Sequence, residues 1–372
     1  MFKLAIFTPD TESIEMKLLT IVGARPQFIK AAAVSRQLVN FPDISETVLH
    51  TGQHYDHNMS ELFFKEMEIP EPAYNLAIKS SLQGEMTGRM IEGIEAIILK
   101  EKPDAVLVYG DTNSTLAGAI ATSKLFVSLV HVEAGLRSFN MNMPEEVNRI
   151  VTDRISNLLC CPTQTAMQNL RNEGFDTFKT TFLNTGDVML DAALYYSEIS
   201  ETKSKIISEL KKKEFVLCTL HRAENTNDPQ RLASIVSALN RIHKKIPVVL
   251  PLHPRTKKTV EALNLKPDLD VISPQGYFDM LELLKHCRLV ITDSGGLQKE
   301  AYFFSKPCVT IRNETEWSEL LQFGCNKLAG ADEEKIISCV DEMLNYKFSS
   351  KQGIYGQGNA ATEIIRAIVK HL

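Results

Sequence analysis

The chain has 372 residues, which at roughly 150 residues per domain points to two domains. Its 41 basic and 46 acidic residues leave a formal net charge of −5. That argues against a partner such as duplex nucleic acid, whose phosphates must be neutralised by Lys and Arg. With 44% hydrophobic and 23% charged residues the composition is globular, and no apolar run approaches the ~18 residues of a membrane span.

Met1 to Phe7 is a short apolar run followed by the polar stretch Asp10 to Glu15. It lacks the longer apolar region and small-residue cleavage site of a secretory signal. Met16 opens the first convincing strand, so residues 1–15 read as an extension or an alternative start. The seven cysteines include no CxxC pair. Cys160, Cys161, Cys218, Cys308 and Cys339 sit in apolar runs and read as reduced core thiols of a cytoplasmic protein.

From Met16 onward short apolar, β-rich runs alternate with amphipathic stretches, the pattern of a doubly wound α/β protein. Strands are predicted at Leu18–Val22, Val48–Thr51, Ala105–Tyr109, Ser128–Val132, Leu158–Cys161 and Leu183–Thr185, with helices such as Phe28–Val39, Gly84–Lys100 and Thr115–Lys124 between them. The charged segment Glu198–Glu214 marks the boundary region, after a helix beginning at Asp187. The alternation restarts with Phe215–Leu220, Val248–Leu252, Asp270–Ser273, Leu289–Thr292, Cys308–Ile311 and Lys327–Ala329. Helices are predicted at Glu333–Tyr346 and Ala361–Leu372. The expectation is two Rossmann-like domains, 1–187 and 188–372, whose parallel sheets face each other across a cleft. Ligands of such sheets bind outside the carboxyl ends of the strands.

Most polar clusters fall just after a strand. Gly23-Ala24-Arg25-Pro26 follows the first one and opens a helix, with Arg25 and Lys30 adding positive charge near an N-terminus that favours anions. The run is not GxGxxG, and no GKS/T is present, so nicotinamide and P-loop readings lose their main support. Asp111 in Gly110-Asp111-Thr112 is either a helix cap or a carboxylate held at a strand end. Strand alternation places His131 and Glu133 on one side. Pro144-Glu145-Glu146-Val147-Asn148-Arg149 looks like a helix start, in which Glu145 and Arg149 have the spacing of a surface ion pair.

In the second half His221-Arg222-Ala223-Glu224 stands at a strand end, where a His can meet a phosphate. His253 repeats the device one βα unit later. In Ile291-Thr292-Asp293-Ser294-Gly295-Gly296-Leu297-Gln298-Lys299-Glu300 a strand meets a small-residue turn that starts a helix. Such a turn serves either close packing or a diphosphate held by backbone N–H groups. Glu300 lies within reach of a ribose diol. No metal-ligand spacing appears, and His54 and His57 read as loop or cleft histidines rather than ligands.

Taken in order, Gly-Ala-Arg-Pro, Gly-Gln-His, Gly-Asp-Thr, His-Val-Glu-Ala-Gly-Leu-Arg, Pro-Glu-Glu-x-Asn-Arg, His-Arg-x-Glu and Thr-Asp-Ser-Gly-Gly-x-Gln-x-Glu make the chain from Met16 onward resemble the non-hydrolysing UDP-N-acetylglucosamine 2-epimerase family. The resemblance implies a GT-B-like architecture and a homodimer. It implies a UDP-sugar substrate and no cofactor or metal, in an enzyme supplying precursors of bacterial surface polysaccharides. It implies that UDP is eliminated to a 2-acetamidoglucal and added back. Asp111, Glu133 and Glu145 are then the acid/base carboxylates, with His221 beside the leaving diphosphate. Arg25, His221, Ser294, Gly295 and Gly296 would hold the phosphates, Glu300 the ribose, and Gln275 to Tyr277 the uracil. Lys30, His54, Arg149, His253 and Arg312 would be further substrate contacts.

Two departures stand out, Tyr55 and Ala223, at positions where members activated by their own substrate often carry arginine. Gly23–Lys30 and Thr315-Glu316-Trp317 also resemble the branch acting on UDP-2,3-diacetamido-2,3-dideoxyglucuronate, whose C6 carboxylate would need a cation. A hydrolysing relative and a glycosyltransferase of the same architecture are the other readings.

Overall fold

The computed structural model describes residues 16–53, 71–80, 82–348 and 353–372. Among these, thirteen strands form two parallel sheets. The first sheet contains β1 (Met16–Val22), β2 (Ile44–His50), β3 (Tyr74–Asn75), β4 (Ala105–Tyr109), β5 (Ser128–Val132), β6 (Leu158–Cys161) and β7 (Thr181–Asn184), in the order β3-β2-β1-β4-β5-β6-β7. The second contains β8 (Val216–Thr219), β9 (Val248–Pro251), β10 (Asp270–Ile272), β11 (Leu289–Thr292), β12 (Cys308–Thr310) and β13 (Asn326–Leu328), in the order β10-β9-β8-β11-β12-β13.

Both sheets are doubly wound. The strand order reverses between β1 and β4 in one and between β8 and β11 in the other, so each has a crevice at that point. The central strands show why. All five residues of β4, Ala-Val-Leu-Val-Tyr, are buried, as befits a strand covered by helices on both faces. One face packs on the helices Gln83–Glu101 and Asn113–Lys124 through Met90, Ile94 and Ala117. The other packs on Arg25–Leu38 through Phe28 and Val34.

The helices Val188–Lys203 and Ala360–His371 bury Ala192, Tyr196, Ile364 and Ile368 in the same core as Phe28. Near the joint between the sheets, Asp187 N–H donates to the Tyr355 carbonyl at 2.9 Å, and Ala360 and Ala361 N–H donate to the Asp191 carboxylate at 3.0 and 2.8 Å. Val188–Lys203 also reaches the second sheet's helix Tyr277–His286, where Ser200 Oγ donates to Glu282 Oε1 at 2.6 Å.

The five cysteines expected in the core are free, four of them buried and Cys339 half-buried. Among the described residues, no helix is long and apolar enough to cross a membrane.

Strand positions follow the sequence expectation within about two residues, except that β2 starts four residues earlier, at Ile44. The two-residue edge strand β3 was not anticipated: Tyr74–Asn75 is too short to show an alternation. The helix expected from Asp187 to Tyr196 runs on to Lys203, because its polar last turns still pack on Tyr277–His286.

Candidate active site

The reversal point of the first sheet carries the Gly23 turn after β1 and the Gly110-Asp111 turn after β4, with Glu133 following β5. The reversal point of the second carries His221 after β8 and Asp293 after β11. These carboxyl ends face one another, since Asn140 Nδ2 donates to Glu314 across the gap and Lys299 reaches Glu133.

Glu133 is the centre of a buried charge network. Its carboxylate accepts from Lys30 of Arg25–Leu38 and, at 2.5 Å, from Lys299 Nζ of the helix Gly295–Phe303. Lys299 Nζ also donates to Asp187 Oδ2 at 2.7 Å and stands 4.5 Å from the centre of the Trp317 ring. Burial alone would raise the Glu133 carboxyl, but Lys299 and Lys30 outweigh it and bring it down to about 2. Burial likewise disfavours the charged Lys299, and Asp187 and Glu133 reverse that, holding it above its ordinary value.

Gly110 makes room for this network: with φ +62°, a Cβ there would lie 3.1 Å from both Glu133 Oε2 and Lys30 Nζ. Strand alternation does not set the direction of Glu133, because β5 ends at Val132 and Glu133 itself takes φ +71°. His131 is a structural residue, buried between Asp153 Oδ1 and the Gly110 carbonyl at 2.7 Å each.

Asp111 is half-buried, and its Oδ2 accepts from Arg149 Nε at 3.0 Å and Nη2 at 2.7 Å. Asn148 Nδ2 donates to the Asp111 carbonyl at 2.8 Å. Arg149 also donates to Glu146, whose carboxylate accepts the Ser138 and Phe139 N–H groups. The i,i+4 surface pair expected between Glu145 and Arg149 therefore does not form; the guanidinium turns inward to Asp111 and Glu146. Glu145 is half-buried and makes no hydrogen bond or ion pair with the described residues.

On the opposite wall, buried Asp293 accepts from the His221 and Arg222 N–H groups at 3.0 and 2.9 Å and lies 3.2 Å from His221 Nδ1. The His221 side chain remains 52% exposed, so its other ring nitrogen is available to a ligand. Ser294 caps Gly295–Phe303. At its first turn Gly296 has open space around it, while a Cβ on Gly295 would lie 2.3 Å from Glu316 Oε1. Glu316 accepts from Arg312 Nη1 at 3.0 Å. Burial raises the Glu316 carboxyl, but Arg312, Arg149 and Arg222 hold it below its usual range. Arg312 is buried, and its Nε and Nη2 find no partner among the described residues. A cation with unpaired donors beside an open helix N-terminus fits an anionic ligand.

Several of the expected contact residues have partners within the chain. The Tyr277 ring is buried against Tyr196, and its hydroxyl donates to Glu300 Oε1 at 3.3 Å, so it orients Glu300 from the core. Gln275 Nε2 donates to the Ser273 carbonyl at 2.7 Å, and exposed His253 caps the helix Pro254–Ala262. The Arg25 side chain, His54 and His57 lie outside the described residues. Lys299, Asp187, Asp293 and Glu316 were missed as site residues. Asp293 and Glu316 stood inside quoted motifs, but a lysine in mid-helix and an acid at a helix start carry no signal of their own. Among the described residues, no group of three His, Cys, Asp or Glu side chains is arranged to hold a metal ion.

Two doubly wound parallel sheets, with acids on one wall of the cleft and a Ser-Gly-Gly helix start on the other, define an α/β protein of GT-B-like architecture. The sequence pattern of UDP-N-acetylglucosamine 2-epimerase matches residues 36–369, and the chain belongs to that family. It is 53% identical to the UDP-2,3-diacetamido-2,3-dideoxy-D-glucuronate 2-epimerase of Pseudomonas aeruginosa, over 95% of this chain and 100% of that protein. It is 43% identical to the UDP-N-acetylglucosamine 2-epimerase of Methanococcus maripaludis, over 95% and 98%. The crystal structure of the Methanocaldococcus jannaschii UDP-GlcNAc 2-epimerase in complex with UDP-GlcNAc and UDP matches with a TM-score of 0.88 and 41% identity, over 95% of this chain and 100% of that one.

Proposed function

We propose that the chain is a non-hydrolysing UDP-sugar 2-epimerase that inverts C2 of a UDP-2-acetamido sugar. The observation that carries this reading is the meeting of Glu133 from the first sheet with Lys299, on the helix whose first turn is Gly295-Gly296, since it puts acids and anion turn in one cleft. A carboxylate takes the C2 proton, the C1–O bond breaks, its electron pair leaves with UDP, and a C1–C2 double bond forms. In the return step a carboxylic acid delivers a proton to the other face of C2 while a diphosphate oxygen re-forms the bond to C1. Nothing is consumed, and no other co-reactant is required.

Glu145, without an ion partner among the described residues, is suited to exchanging the proton, whereas Glu133 between two lysines is suited to remaining an anion. Asp111, held by Arg149, completes the acid set. His221, Arg312 and the Ser294–Gly296 turn would face the diphosphate, with Arg25 contributing and Glu300 meeting the ribose.

The 53% identity to the Pseudomonas enzyme favours UDP-2,3-diacetamido-2,3-dideoxyglucuronate as the substrate, with UDP-GlcNAc second. Incubating the protein with each sugar in D2O and following the product by NMR tests both. The reading predicts deuterium at C2 with one of the two, and absence of exchange with either sinks it. The family resemblance also supports a cytoplasmic homodimer, whose mass light scattering would give.

A further inference from the structure

Lys299 is the one described residue that ties three parts of the molecule together through a single atom. It belongs to the helix Gly295–Phe303, four residues beyond the start of the anion turn, and is almost wholly buried. Its Nζ meets Glu133 of the first sheet at 2.5 Å and Asp187 of the interdomain connection at 2.7 Å. The Trp317 ring covers it at 4.5 Å from the centre. An ammonium so enclosed has no room to bind substrate, and both carboxylates would be buried without it. Resting on the epimerase reading, we propose that Lys299 is a positioning residue: it holds the Glu133 carboxylate ionised and aimed into the cleft, and does so only when the UDP-binding helix is docked against the first sheet.

The charge balance around Glu133 supports this role. Lys30 faces it from the helix Arg25–Leu38, Lys299 from Gly295–Phe303, and Asp187 stands on the far side of Lys299. Glu319 of the short helix Ser318–Gln322, the Tyr355 hydroxyl and Asp191 of Val188–Lys203 are further titratable neighbours of Asp187 and Lys299. Among the described residues, removing Lys299 leaves Lys30 as the sole cation on Glu133 and lets the Asp187 charge repel it. The Glu133 carboxyl then rises, by about 1–3 units for the loss of one close opposite charge. The helix that carries the diphosphate turn thus also supplies the charge that keeps Glu133 an anion.

The test compares wild type with Lys299→Gln, Lys299→Arg and the charge-balanced double variant Lys299→Gln/Asp187→Asn, following turnover and C2 deuterium exchange between pH 3 and 8, with UDP affinity by calorimetry. The double variant removes the cation together with its second anion, so it keeps the buried charge balance if Lys299→Gln alone does not fold. Over that range wild type should show no limb of kcat from Glu133, which sits at about 2. Lys299→Gln should bring one into the acid end by a rise of about 1–3 units, and the double variant a smaller one, with UDP Kd changing less and Arg removing it again. Gln variants whose profiles show no such limb, or a fall in kcat matched at every pH by a fall in UDP affinity, would overturn it. Wild-type turnover in the same assay tests the epimerase reading separately: exchange by wild type with no new limb in the variants defeats only the role of Lys299.

Discussion

Lys299 lies 166 residues from Glu133 along the chain and 2.5 Å from it in space. The contact joins the helix that begins at the Ser294–Gly296 turn to the end of β5, so one ion pair sets both the approach of the two sheets and the charge of a cleft carboxylate. Lys30 closes the network from the other side.

Replacing Glu133 by Gln is expected to abolish C2 exchange while leaving UDP binding measurable. It also leaves the buried Lys30 without an anion, which costs about 3–5 kcal/mol of stability. Because the folded carboxyl sits near 2 against an ordinary 4.5, its contribution is present above pH 4.5 and is lost as pH falls toward 2. Denaturation curves of wild type and variant should therefore converge across that window; a gap that persists at its acid end contradicts the network.

Glu145→Gln separates chemistry from stability. The side chain is half-buried and has no partner among the described residues, so melting temperature should stay close to that of wild type. Turnover should fall by about 10²- to 10⁴-fold, as for the loss of a proton-transfer group. Full exchange activity in the variant would remove Glu145 from the acid/base set.

Glu319 is the opposite case, a carboxylate outside the proposed chemistry. It is buried, with the Tyr355 hydroxyl beside it but no cation paired to it among the described residues. Burial raises it from 4.5 to about 7, so stability declines as pH rises through that interval, since the unfolded chain releases the proton first. Glu319→Gln should thus gain on wild type between pH 5 and 8, by up to about 3 kcal/mol. Thermal denaturation at both pH values checks this, and an unchanged difference would show that the fold does not raise the Glu319 carboxyl.

Glu316 occupies the edge of the anion turn, its Oε1 filling the space that a Cβ on Gly295 would need. An arriving diphosphate competes with this charge for Arg312 and the helix N-terminus. Glu316→Gln should tighten UDP binding by about two- to fivefold, the worth of one charge at a helix end. Weaker binding by calorimetry would mean that Glu316 instead holds Arg312 in place for the ligand.

Much of the cleft was legible in the primary structure because of how parallel sheets are built. Apolar runs such as Ala105–Tyr109 can only be strands covered on both faces, and the residues just beyond a strand's carboxyl end line the crevice. That logic pointed to Asp111, Glu133, His221 and Ser294–Gly296, and the structure puts each of them just beyond the carboxyl end of a strand. It misjudged partners. The i,i+4 spacing of Glu145 and Arg149 promised a surface pair, but burial of the guanidinium beside Asp111 and Glu146 offered two carboxylates in a drier setting, where the attraction is stronger. The ring of Tyr277, expected near the uracil, packs on Tyr196, and its hydroxyl donates to Glu300.

The sequence by itself determined the two sheets, the order of their strand-end motifs and the family, since periodicity and local turn chemistry act over a few residues. Only the tertiary structure decided which charges meet. Lys299 has the local signature of any helical lysine, and Asp187 that of any N-cap. Their pairing with Glu133 depends on how two independently wound sheets dock, and a buried charge is stabilised by what stands within a few ångströms of it, wherever in the chain that partner lies.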